Sequence, residues 1–520
     1  MLMNHPNLFQ LKELFAMAIK RPTYILAIDQ GTTGSRAFLY NKNARRVAST
    51  AIPLTPIEPQ TGWLEQSPEA IWRTTQTAIT DTLINAGIQA DAIDSIGIAS
   101  QRETTIIWNK TTGQPIYNAI VWSSTQSQTV IDELASSAVE TMVRDKTGLP
   151  FSAYFSASKI RWILDHVAGA QELAEQGELL FGTVDSWLIW HLTDHQSHIT
   201  DISNAARTML FNIRTQAWDT ELLSLFNIPA AMLPQVTRSN GQLAQTSPMR
   251  FFGATVPITA VIGDQNAGLI GQLGFKSGTV KATYGAGAFL LFNTGTELIN
   301  SHHDLVSTIA YQIDEQPIYA LEGSVFTAGS AIRWLNDGLH LIDEVPDSWE
   351  AAERSTSKDE LYVVPSFSGL GAPYWDPQAR GAVFGITRGT NKDDFIKATV
   401  QSIAYQIGDI LHIMQADAST PVKTVKVDGS VSRNPYLMQF QADITNMPID
   451  RSLYEDTTPL GAAFLAGLAS GYWDSVDAIK GLSIRGRKFT PTMDAARRQS
   501  LIQGWQNAIA ATSFFAHPET

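Results

Sequence analysis

Two short turns, one near each end of the chain, constrain the fold more than any other feature. Ala27-Ile28-Asp29-Gln30-Gly31 closes an apolar, strand-forming run that begins at Tyr24, and Val427-Asp428-Gly429 closes another in "TVKVDGS". A strand ending on a carboxylate and a glycine puts a charge and a permissive backbone position at a sheet's rim, where α/β proteins collect their ligand sites. Helical and extended segments alternate between the two turns. Together these features predict duplicated α/β halves facing each other across a cleft. No composition shift marks the join, which is placed near Ile270, after "VIGDQNAGLI".

Local signals agree with that plan. Ser67-Pro68 opens a helix that runs to about Gly87, with serine as cap, proline in the first turn and glycine beyond the end. "IDSIGIAS" (93–100) reads as the next strand. A long helix follows Asp393, with apolar residues at 396, 400, 403, 404, 407, 411 and 414. Thr458-Pro459 starts another helix, whose small residues "GAAFLAGLA" allow a backbone or a nucleotide to come close. The first 22 residues lack a basic start and a cleavage site, and read as an extension that forms at most one surface helix.

The segment between the strands of "YILAIDQGTTGSRAFLYN" reads as a hairpin tip carrying Asp29, Gly31, Thr32, Thr33 and Arg36. Hydroxyls and glycine N–H groups suit a phosphate, and a carboxylate suits the water shell of Mg2+. The same residues also make an ordinary polar hairpin. Four further clusters have comparable alternatives. In "SQRETTIIWN", Arg102 and Glu103 at a strand's end either bind a polyol or form a surface ion pair. In "VIGDQNAGLI", Asp264 beside Gln265 is a general base or a helix N-cap. "KATYGAGAFLLF" is a phosphate-approaching or a plain hairpin, and "VKVDGSVSRNPYLMQF" cradles a nucleoside or caps a helix through Asn434. His191, His195 and His198 read as an exposed helix end rather than a metal site, beside a core segment around Trp187 and Trp190.

The formal charge of −13, from 37 cations and 50 acids, argues against broad binding to nucleic acid or anionic membranes. There is no cysteine, which excludes disulfides and thiol chemistry and agrees with a reducing cytoplasm. No apolar run is long enough for stable membrane insertion.

"DQGTTGSRA", "SQRETTIIWNKTTGQPIYNAIVW", "YFSASKIRWILDHV", "GELLFGTVDSWLIWHLT", "NAARTMLFNI", "GLGAPYWDPQARGAVFGITRG" and "SIAYQ" occur in an order that resembles the FGGY carbohydrate kinases over roughly residues 23–512. "RETT" with "GAPYWDP" favours glycerol over pentulose substrates. The resemblance implies two ribonuclease-H-like domains of the actin-like ATPase type, here an N-terminal one over 23–269 and a C-terminal one over 270–512. It implies ATP-dependent formation of sn-glycerol 3-phosphate from glycerol, with Mg2+, in a cytoplasmic homo-dimer or homo-tetramer. Asp264 would be the base, and Arg102, Glu103, Tyr154 and Gln265 would hold glycerol between Trp122 and Phe289. Thr32, Thr33, Gly34 and Arg36 would lie at the ATP phosphates with Asp29 near the metal, and Gly329 and Asn434 would border the nucleotide. Three departures fall around that nucleotide: Ala286 replaces a threonine, Arg333 a glutamine and Ser430 a glycine. They keep two alternatives open, a kinase for another small polyol or ketose and a glycerol- or nucleotide-binding regulator.

Overall fold

The computed structural model describes residues 23–517 except 358, 359, 368, 375, 377, 419, 483 and 484. The extension expected over 1–22 lies outside the described residues. The first sheet contains β1 (Tyr24–Gly31), β2 (Gly34–Tyr40), β3 (Arg46–Pro53), β4 (Ile93–Ser100), β5 (Asn240–Gln245) and β6 (Pro257–Gly263), in the order β5-β6-β4-β1-β2-β3. The second contains β7 (Thr279–Tyr284), β8 (Ala288–Gly295), β9 (Val306–Tyr311), β10 (Ile318–Val325), β11 (Thr424–Asp428), β12 (Ile449–Ser452) and β13 (Arg485–Phe489), in the order β9-β10-β8-β7-β11-β12-β13.

Both sheets follow one plan. β1, β2 and β3 form an antiparallel meander, and β4 then β6 join β1's other side in parallel. β7, β8 and β10 repeat the meander, with β11 and β12 as the parallel pair. The duplication is present, but the two turns that suggested it are not equivalent. Asp29 lies on the opening strand of its meander, whereas Asp428 ends the first parallel strand of the other sheet.

The helices include α1 (Pro68–Ala86), α2 (Ser156–His166), α3 (Val184–Leu192), α4 (Asp264–Gly271), α5 (Gly329–Asp337), α6 (Lys392–Asp417), α7 (Pro435–Thr445), α8 (Thr458–Ser470) and α9 (Ala495–Ala516). The Ser67 hydroxyl accepts the Ala70 N–H at 3.2 Å, and Gly87 ends α1 in the left-handed conformation (φ 65°). Asn391 and Asp394 cap α6 reciprocally, and the predicted apolar stripe of that helix is buried.

The small residues of α8 admit backbone. A Cβ on Gly461 would lie 1.8 Å from the Ala267 carbonyl oxygen of α4, and one on Gly97 of β4 would lie 2.3 Å from that of Ala462. Although late in sequence, α8 therefore packs on the first sheet. Its Leu460–Ala466 share a core with Ile25 and Ala27 of β1, Ile262 of β6, and Leu291 and Ala320 of the second sheet. The three histidines do not form an exposed helix end. His191 packs between Trp72 and Trp187 at ring distances of 4.9 and 4.2 Å, and His195 stacks on Trp190 at 5.1 Å.

Candidate active site

The β1–β2 register pairs Asp29 with Arg36 and Gly31 with Gly34, so the hairpin tip is Thr32-Thr33 alone. Asp29 and Arg36 belong to the strands, which is a correction to the wider tip read from sequence. Opposed residues of an antiparallel pair share a face. The Arg36 guanidinium accordingly bonds the Asp29 carboxylate, and also Asp456, which stands just ahead of α8. Burial pushes the Asp29 carboxyl up to about 7 against the pull of Arg36, with Asp456 and Asp264 adding to the rise. A Cβ on Gly34 would lie 2.5 Å from the Ile52 carbonyl oxygen. Thr32 Oγ1 accepts Trp122 Nε1–H at 2.8 Å, its carbonyl accepts Gln66 Nε2–H at 2.6 Å, and Thr33 is exposed.

Beyond β4 the chain turns sharply, with Glu103 at φ 61°, and buries both members of the "RE" pair. They are not a surface ion pair. Arg102 Nη1 donates to Glu322 Oε2 at 2.6 Å, and its Nε lies 3.2 Å from Asp264 Oδ1. Arg207 Nε donates to Glu103 Oε1 at 2.6 Å, and its Nη2 to Glu322 Oε1 at 2.9 Å. Five charged groups thus form one chain, Asp264–Arg102–Glu322–Arg207–Glu103. Burial alone would raise the Glu322 carboxyl, but Arg102 and Arg207 outweigh it and hold it at about 2. Glu103 has one direct arginine partner rather than two, and burial lifts its carboxyl above the usual range.

Asp264 is the first residue of α4, and Gly263 occupies the N-cap position, so the N-cap reading is not realised. Its Oδ1 accepts the Gln265 N–H at 2.6 Å, and its side chain stays 29% exposed. Gln265 Oε1 accepts the Nζ–H of Lys281 in β7 at 2.5 Å. Lys281 is buried, and desolvation pulls its ammonium below the ordinary range against Asp428 and Asp264. The register places Lys281, Thr283, Phe289, Leu291, Glu322 and Ser324 on the sheet face that looks at the first lobe.

Tyr154 packs against Trp122 at 5.4 Å between rings. Lys159 lies in α2, and its buried ammonium donates to the carbonyls of Ala153, Tyr154 and Phe155 at 2.6, 2.6 and 3.2 Å. Its desolvation lowers the ammonium to about 7. The loop that presents Tyr154 is thereby clamped from beneath.

The residues expected at the nucleotide gather at the rims of β7 and β11. The Gly329 N–H donates to the Gly285 carbonyl at 2.9 Å, and a Cβ there would meet that oxygen at 2.6 Å and Val431 at 2.7 Å. Gly429 has φ 88°, and a Cβ would lie 2.3 Å from the Tyr284 carbonyl oxygen. Ala286, Arg333 and Ser430 are exposed on this patch. Asn434 is buried and caps α7, its Oδ1 accepting the Leu437 N–H at 2.9 Å. Helix capping is realised through the amide oxygen of Asn434, and its Nδ2 has no hydrogen-bond partner among the described residues.

Arg207, Glu322, Lys281, Lys159 and Asp456 were not singled out from sequence. A signal existed for two of them. Lys281 in "TVKATY" and Glu322 in "YALEGSV" are single charges inside otherwise apolar strands, which a sheet buries only against a partner. Arg207, within "NAARTMLFNI", carries no such signal.

Comparison with known proteins bears on this geometry. The model of the FGGY family of carbohydrate kinases, N-terminal domain, matches residues 24–271, and that of the C-terminal domain matches 280–470. The glycerol kinase of Streptococcus gordonii is 53% identical over 494 residues, 95% of this chain and 98% of that protein. That of Streptococcus agalactiae is 52% identical over 496 residues, 95% and 99% of the two chains. The crystal structure of Plasmodium falciparum glycerol kinase with ADP superposes with a TM-score of 0.89 at 34% identity, covering 94% of this chain and 98% of that one. A gluconate kinase from Lactobacillus acidophilus shares the fold at 22% identity, with a TM-score of 0.85 over 94% and 98% of the chains.

Proposed function

Since this chain belongs to the FGGY family of carbohydrate kinases, we propose that it transfers the γ-phosphoryl group of ATP to a primary hydroxyl of glycerol, giving sn-glycerol 3-phosphate. One observation carries the reading. Asp264 is a partly exposed carboxylate at the edge of a buried charge chain, 3.2 Å from Arg102. Arg102 and Glu103 orient the triol, with Tyr154, Trp122, Gln265 and Phe289 around it, and Asp264 accepts the proton as the new O–P bond forms. Phosphoryl transfer is governed by positioning and electrostatics. Thr32, Thr33, the Gly34 backbone and Arg36 supply donors for the phosphates.

The donor set also suits Mg2+. Burial first, and then the nearby Asp456 and Asp264, raise the Asp29 carboxyl, and a divalent cation would favour its ionised form. Mg2+ needs one or two carboxylates, since waters and phosphate oxygens complete its shell. When bound it neutralises phosphate charge, with Asp29 as its protein anchor. Gly329 and Asn434 border the nucleotide, with Ala286, Arg333 and Ser430 on the same rim. We further assign the N-terminal domain to 23–269 and the C-terminal domain to 270–512, and propose a cytoplasmic homo-dimer or homo-tetramer.

The test is an ATP-coupled assay on glycerol, erythritol, dihydroxyacetone and xylulose, with and without Mg2+. Mg2+-dependent turnover highest on glycerol is expected. Preference for another polyol or ketose overturns the substrate assignment.

A further inference from the structure

We propose that Glu322 is a positioning residue of the transfer step: by taking one N–H from each of two buried arginines, it limits Arg102 to a single contact with Asp264 and leaves that carboxylate free to accept a proton. The inference rests on the function proposed above and adds a residue to it.

The argument begins with how guanidinium and carboxylate prefer to meet. An arginine facing one carboxylate favours a two-pronged fork that occupies both oxygens. No arginine of this network makes one. Glu322 splits its oxygens, Oε2 to Arg102 Nη1 at 2.6 Å and Oε1 to Arg207 Nη2 at 2.9 Å. With Nη1 turned to Glu322, Arg102 meets Asp264 through Nε, at 3.2 Å. Arg207 gives its Nε to Glu103 at 2.6 Å.

Charge shows why Glu322 is needed. Two arginines are shared among three carboxylates, Glu103, Glu322 and Asp264. Neutralising Glu322 leaves two of each, and the pairing that satisfies both arginines puts a fork on Asp264 and another on Glu103. A forked Asp264 has a guanidinium donor on each oxygen, which stabilises its ionised form and makes it a weaker base towards a substrate hydroxyl.

Glu322 is also held in place. β10 is hydrogen-bonded on both sides, to β8 and β9, with Leu291 and Val306 opposite Glu322. That edge of the second sheet is fastened to the first lobe. Asn266 Nδ2 donates to the Ile309 and Ala310 carbonyls at 3.1 and 2.8 Å, and the Tyr319 hydroxyl to that of Ile213 at 3.0 Å. The carboxylate belongs to one lobe by sequence and to the other by contact.

The test is steady-state kinetics of the full chain carrying Glu322→Gln or Glu322→Asp, with thermal melting of each. Glu322→Gln keeps the shape and balances the remaining charges. Its kcat is expected to fall about 30- to 100-fold, with the KM for MgATP within twofold and that for glycerol raised no more than about fivefold. Glu322→Asp keeps the charge on a shorter arm and is expected to lose only about three- to tenfold in kcat. A kcat within twofold of wild type in both variants, a loss confined to KM, or an aspartate variant as impaired as the glutamine one overturns the role. Should Glu322→Gln not fold, Glu322→Asp decides alone: a three- to tenfold loss supports the role and an unaltered kcat overturns it. A wild-type chain without glycerol turnover removes the proposed function and this role together. An active wild type with unaltered variants removes this role alone.

Discussion

On the first-lobe rim of the cleft, Asp29, Arg102, Glu103 and Arg207 are buried charges, each held by a partner of opposite sign. On the second-lobe rim, Ala286, Arg333 and Ser430 are exposed, and close backbone packing at Gly329 and Gly429 sets the shape. The contrast fits the ligands proposed above for the two rims. A small triol must be fixed by directional donors and acceptors, and buried ions supply these only when every one is paired. A nucleotide can be held by backbone N–H groups and shape, so the side chains there are freer to change. Ala286, Arg333 and Ser430, three of the departures from the family's usual residues, lie on the second-lobe rim.

The contrast can be broken or sharpened by four changes, given in falling order of effect. Asp264→Asn is expected to lower kcat by about 10²–10⁴ with the melting temperature unmoved; near-normal turnover removes Asp264 as the base. Glu103→Gln strips a charge from a buried pair, and is expected to raise the KM for glycerol about 30- to 100-fold while the KM for MgATP stays within twofold. If both KM values move together, the rims are not separable. Ala286→Thr restores a hydroxyl on the second-lobe rim and is expected to lower the KM for MgATP by up to roughly tenfold with the glycerol KM unchanged.

The smallest effect concerns acid. Burial lowers His191 to about 3 and His198 to about 4. The unfolded chain therefore binds protons below about pH 6.5 that the folded chain refuses. Their contribution to stability is full above that pH and declines as pH falls towards 4, by at most about 1.4 kcal/mol per pH unit for each histidine. His191→Phe keeps the packing against Trp72 and Trp187, and should flatten that slope in urea melts between pH 7 and 4.5.

Elements were legible wherever one strand or helix carried its own signal. α1 was bounded by Ser67 and Gly87, α6 by its stripe, and β4 and β11 by apolar runs. The duplication was reached through Asp29 and Asp428, which occupy non-equivalent strands, so a sound conclusion came from a coincidental resemblance of turns. The candidate site was half legible. Arg102, Glu103 and Asp264 follow strands, where position alone draws attention, and the family resemblance gave them roles. The pairing of Glu322, Arg207 and Lys281 becomes visible only in the fold, because their partners are 16 to 220 residues away. The histidines read as exposed because polar neighbours in sequence conceal Trp72 of α1 and Trp108 of the short strand Ile106–Asn109.

The crossing of α4 and α8 reaches beyond catalysis. With Gly461 set against the Ala267 carbonyl, a helix encoded near the end of the gene completes the interior of the part encoded first. A truncated product ending near residue 270 would leave a greasy sheet face uncovered, so exchanging the two halves between relatives should succeed only when the 458–473 segment travels with the front half.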